Sequence, residues 1–66
     1  MTAKQTYWKG QVLVHLTNVR HRAAELQGLL EEDGYPGAIR RKAHDVGTEA
    51  RSLSTAAAVF EALIEK

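Results

Sequence analysis

Cysteine is absent from the chain, which excludes disulfides, thiolate metal sites and cysteine nucleophiles and leaves the redox compartment unmarked. Long apolar runs are missing too, and none approaches the roughly 20 residues needed to span a bilayer. The opening Met1-Thr2-Ala3-Lys4 has no apolar stretch of the kind a secretory signal carries, so the expected location is cytoplasmic, with no membrane partner. An excess of one charge is lacking: 9 Lys and Arg stand against 8 Asp and Glu, a net +1, which argues neither for nor against nucleic acid. Length is short as well. A chain of 66 residues hides only about 60% of the surface it exposes when unfolded, so a lone core is marginal. With disulfide and thiolate staples excluded, oligomerisation is the remaining common route to stability. What is present, 44% hydrophobic and 26% charged residues, is an ordinary globular composition rather than a disordered one.

The single proline, Pro36, lies in Asp33-Gly34-Tyr35-Pro36-Gly37. Glycine just past one helix and proline at the first position of the next mark a break between two helices. Tyr35, before the proline, is pushed out of the helical region and belongs to the connection. Thr2-Ala3-Lys4-Gln5 fits a capping box. The chain therefore divides into a helix over about 3–32, a turn at 33–37 and a helix over about 37–65. Gly10, Gly28 and Gly47 fall inside these helices, each costing about 0.5–1 kcal/mol relative to alanine. A break at Gly47, giving three helices, is the alternative.

Periodicity carries the fold class. Val12, Leu16, Val19, Ala23, Leu26 and Leu30 are spaced 4, 3, 4, 3, 4, and Ile39, Ala43, Val46, Ala50, Leu53, Ala57, Phe60 and Ile64 continue the same alternation. This is the 3.5-residue repeat of a helical seam, not the alternation of a strand. The class is all-α. Folding back at the turn pairs Leu30 with Ile39, Leu26 with Ala43, Ala23 with Val46, Val19 with Ala50, Leu16 with Leu53 and Val12 with Ala57, each pair summing to 69. Four of the six layers set an alanine against a larger residue, which lets the helices approach closely.

A two-helix hairpin has little beneath its apolar faces. Each large apolar side chain taken from water contributes roughly 1.5–3 kcal/mol, while ordering each residue costs roughly 1–2 kcal/mol for the backbone alone. The expected solution is a homodimer, an antiparallel four-helix bundle with a core of Leu16, Val19, Ala23, Leu26, Ala43, Val46, Ala50, Leu53, Ala57 and Phe60.

The small Ala43, Ala50 and Ala57 alternating with the large Val46, Leu53 and Phe60 resemble the pattern of the Rop family of RNA-binding regulators. The resemblance covers nearly the whole chain and implies a short helical hairpin that dimerises into an antiparallel four-helix bundle. It also implies that the outer face of the first helix contacts paired RNA loops through polar and basic residues and one exposed aromatic. Here that face carries Lys4, Tyr7, Gln11, Val14, Asn18, His21 and Glu25. Lys4, Gln11 and Asn18 suit phosphates and base or sugar edges. The mid-helix aromatic is missing, its place held by polar residues or Val14.

Charge is uneven along the chain. Lys4, Lys9, Arg20 and Arg22 come before any acid, Glu25, Glu31, Glu32 and Asp33 follow, and Arg40-Arg41-Lys42 comes after the turn. The hairpin is expected to bring the acidic group alongside the basic triplet. The preferred reading is an ion-paired, solvated end of low energetic weight; the competing one is a basic surface for phosphates on a dimer. His21 and Glu25 share a face, but His15 and His21 are poorly spaced for one metal, and the Glu-x-x-His pattern of di-iron bundles does not occur. No metal and no cofactor are expected. Ser52, Ser54 and Thr55 have no base beside them, and a packed bundle leaves no pocket for a small-molecule substrate, so no enzyme is expected. Tyr7 and Trp8 close the open end of the hairpin near Phe60, or mark a protein-binding hot spot. Leu13, Val14, Val59 and Leu63 also lie off the seam. The functional expectation is a regulatory or adaptor module that binds a protein partner. RNA binding in the manner of the resembled family, and a structural role in a larger helical assembly, are the alternatives.

Overall fold

The computed structural model describes residues 1–65. It consists of two helices, α1 (Ala3–Glu31) and α2 (Pro36–Ile64), packed antiparallel as one hairpin 47 Å long. α1 starts from a complete capping box: Thr2 Oγ1 accepts from the Gln5 amide, and Gln5 Oε1 accepts from the Thr2 amide. The other end of the same Gln5 side chain, Nε2, donates to the Leu63 carbonyl at 2.9 Å. One amide thus ties the start of α1 to the last turn of α2. α2 runs through Gly47 without interruption, which disposes of the three-helix alternative.

The turn differs in detail from the glycine-led stop that the sequence suggests. The left-handed residue is Asp33, with φ 52°, and the Gly34 amide donates to the Leu29 carbonyl at 2.7 Å, the longer bond of a Schellman closure. Gly34 is needed for proximity instead. A β-carbon there would lie 2.9 Å from the Leu29 oxygen and 3.0 Å from its Cδ2. Tyr35 is extended (φ −59°, ψ 128°), and Pro36 occupies the first turn of α2, where no amide hydrogen is required.

The helices meet along a stripe rotated from the one that apolar periodicity suggests. On α1 the half-buried row is Gln5, Trp8, Val12, His15, Val19, Arg22, Leu26 and Leu29; on α2 the facing row is Ile39, Lys42, Val46, Glu49, Leu53, the fully buried Ala56, Phe60 and Leu63. The two stripes share Val12, Val19 and Leu26, and Ile39, Val46, Leu53 and Phe60. His15, Arg22 and Leu29 replace Leu16, Ala23 and Leu30 in the contact between the helices. Lys42, Glu49, Ala56 and Leu63 likewise replace Ala43, Ala50, Ala57 and Ile64. Each of the six expected pairings, Leu30–Ile39, Leu26–Ala43, Ala23–Val46, Val19–Ala50, Leu16–Leu53 and Val12–Ala57, therefore keeps only one member in the contact row, and the ion pairs Arg22–Asp45 and Glu25–Lys42 sum to 67 rather than 69. The polar groups turned inward on one edge are partnered across the seam, each pair contributing about 0.2–1 kcal/mol, while Leu16 and Leu30 turn out onto the opposite edge.

A hairpin so built has two unlike edges. One is zipped by His15–Glu49 at 3.4 Å, Arg22–Asp45 at 3.6 Å, Arg22–Glu49 at 3.7 Å and Lys42–Glu25 at 3.1 Å. The other carries Leu16, Ala23, Leu30, Ala43, Ala50 and Ile64, all exposed, with Ala57 half-buried. Among the described residues only Ala56 is fully buried, at 3% exposure.

Candidate functional site

Helical geometry sorts the expected binding face of α1 into two rows seven residues apart. Lys4, Gln11 and Asn18 form the row beside the zipped edge, and Gln11 and Asn18 are half-buried there. Tyr7, Val14 and His21 form the outward row. Tyr7 is 59% and Val14 54% exposed, and the Tyr7 and Trp8 rings meet edge to face with centroids 5.4 Å apart. Such aromatic pairs add about 0.5–1.5 kcal/mol beyond their area. The face is thus a shallow ridge with an apolar spine and a polar shoulder.

Its electrostatics are mixed. His21 Nε2 lies 3.9 Å from Glu25 Oε1, and Lys42 Nζ donates to Glu25 Oε2 at 3.1 Å. That hydrogen bond holds the Glu25 carboxyl below the ordinary carboxylate range; partial desolvation opposes it, and the charges of Lys42, His21 and Arg22 reinforce it. An ionised carboxylate therefore stands at the end of the face. Arg22 points into the seam toward Asp45 and Glu49, and Lys9 and Arg20 lie toward the open edge. Lys4 and His21, the basic groups left on the face, are separated by 17 residues, about 25 Å at 1.5 Å per residue.

The expected dimer core divides between two surfaces. Val19, Leu26, Val46, Leu53 and Phe60 line the seam within the hairpin, whereas Leu16, Ala23, Ala43, Ala50 and Ala57 form the open edge. Leu13, Leu30 and Ile64 widen that edge, with exposures of 53%, 56% and 53%. Of the ion-paired edge, sequence reasoning found the side of Glu25 and Lys42 and missed the contacts of His15 and Arg22 with Asp45 and Glu49. The edge's signal was present in the seven-residue spacing of His15 and Arg22, and of Lys42 and Glu49, one position beside the apolar stripe.

Clefts open to solvent among the described residues include one of about 430 Å³ lined by Gly37, Arg40, Arg41 and His44, and one of about 290 Å³ whose lining includes Glu25, Gly28, Leu29 and Lys42. Arg40 and Arg41 have no carboxylate within 4 Å among the described residues, so of the basic triplet only Lys42 is ion-paired. No described helix is long and apolar enough to cross a membrane. Comparison with protein-family models, curated proteins and solved structures finds no match to this chain.

Proposed function

We propose that this chain is a non-enzymatic binding module that works as a homodimer, an antiparallel four-helix bundle presenting the outer face of α1 to a protein partner. The observation that carries the reading is the placement of large apolar side chains in water on two separate surfaces. Leu13, Leu16, Leu30 and Ile64 border the open edge; Tyr7 and Val14 stand on the outer face. Exposed apolar residues that recur along one face mark interaction sites. The first surface suits the second hairpin that the apolar repeat calls for, and the second remains outward once that hairpin is in place.

A protein partner is favoured over RNA because the outer face holds one lysine and no arginine, and Glu25 stands at its end. Phosphate binding draws on several cations acting together. The test is co-purification from the native host with the wild-type chain and with Val14→Asp. One protein retained by the first and lost by the second, at equal helicity and equal sedimentation, supports the reading. Equal recovery of every protein with both baits overturns it. Retention of hairpin or loop–loop RNA at low salt, falling steeply as salt rises, would instead select the RNA reading, with Lys4, Gln11 and Asn18 as its contacts.

A further inference from the structure

The open edge of α2 is self-complementary when its direction is reversed. Ala43, Gly47, Ala50, Ser54 and Ala57 follow one another at spacings of 4, 3, 4, 3, with Arg40 before them and Glu61 after. Reversal about Ala50 lays Ala43 on Ala57, brings Gly47 beside Ser54, and carries Arg40 to within one residue of Glu61. Arg40 and Glu61 are both exposed and form no ion pair among the described residues. We propose that a second copy of this chain packs its α2 antiparallel against this α2, about a two-fold axis at Ala50, with Arg40 of each copy facing Glu61 of the other. This rests on the dimer reading above and specifies how the dimer is built.

Three independent observations support it. The first is area. The chain exposes 4981 Å², whereas a compact protein of 7.3 kDa exposes about 4,200 Å². The surplus, about 800 Å², is what one partner contributes to a stable interface of standard size.

The second is Gly47. A β-carbon built there meets nothing within 4 Å, so packing within the chain does not call for glycine. A glycine in mid-helix weakens the helix. Gly10 and Gly28 are equally open, but Gly47 alone of the three stands among the alanines of the α2 edge, where together they allow another backbone to approach to an interaxial distance near the short end of the usual range, about 8 Å.

The third is charge. α1 carries Lys9 and Arg20 toward the open edge with no acid beside them, so it has no reversed partner of its own.

The absence of cysteine makes the geometry directly measurable. Ala50→Cys places one thiol per copy on the proposed axis, within disulfide reach of its equivalent, and Val14→Cys on the outer face serves as control. Under mild oxidation, Ala50→Cys is expected to become a covalent dimer almost completely and Val14→Cys is not. Arg40→Glu should weaken the dimer roughly tenfold by loss of two ion pairs, and adding Glu61→Arg should restore it. If the wild type sediments as a dimer but Ala50→Cys does not cross-link, the α2–α2 packing is wrong and the dimer reading stands. If the wild type sediments as a monomer at micromolar concentration, both fall.

Discussion

His15 and Glu49, 34 positions apart in the chain, face each other across the hairpin at 3.4 Å. Glu49 is shared: its second carboxylate oxygen lies 3.7 Å from Arg22 Nε, and Arg22 reaches Asp45 at 3.6 Å. Replacing Glu49 with alanine removes two contacts at once from a side chain only 20% exposed. The expected loss is about 1 kcal/mol, since partly exposed pairs contribute about 0.2–1 kcal/mol each. For a domain this small that lowers the melting temperature by roughly 4–8 °C. The difference from wild type should shrink in about 1 M salt, where the Debye length is about 3 Å. A loss that does not respond to salt would show that Glu49 acts by packing alone.

Glu25 sets an acid-side response. Its carboxyl is more acidic in the folded chain because it accepts from Lys42. A group with a depressed folded pKa contributes stability above its unfolded pKa, and that contribution is lost as pH falls through the folded pKa. Melting temperature should therefore drop on acidification below about pH 4.5, and Glu25→Gln should make that drop shallower. An identical pH profile in the variant would remove Glu25 from the account.

The turn makes two opposite predictions one residue apart. Asp33 occupies the left-handed region at φ 52°, where glycine is the residue of lowest strain, so Asp33→Gly should stabilise by about 0.5–1 kcal/mol. Gly34→Ala should destabilise by about 1–3 kcal/mol, because the added methyl meets the Leu29 carbonyl at 2.9 Å. Urea melts of the two variants decide it. The same sign for both would mean that the turn is not closed as described.

Gly28 and Gly47 provide a paired comparison. Both are helical and both have open space where a β-carbon would stand. Gly28→Ala, away from the open edge, should add about 0.5–1 kcal/mol at any protein concentration. Gly47→Ala should make an equal gain in the isolated hairpin and oppose it by obstructing association. Thermal melts across a dilution series separate the two, since dimer stability depends on concentration.

The capping box and the helical class were legible because local rules decide them: Thr2 and Gln5 need only each other, and the apolar repeat needs only its spacing. The rotation of the hairpin seam was not. Val12, Leu16 and Val19 suggest one stripe, yet the fold puts His15 where Leu16 was expected. Hydrophobicity alone ranks leucine above histidine for the inside. The competing gain lies on the other helix, in Glu49 and Asp45, and becomes visible only once the two strips of charge are laid against each other. The outer face shows the same division. Its exposed Tyr7 and Val14 can be read from helical spacing, but the pairing of Glu25 at its end follows from Lys42, 17 positions away.

Gln5 has a consequence for how the molecule opens. Its oxygen caps the entry of α1 and its nitrogen holds the last turn of α2, while the opposite pole is joined covalently by the turn. The two chain termini are consequently released together, and hydrogen exchange should find one fraying event shared by residues from both ends of the sequence, travelling toward Pro36.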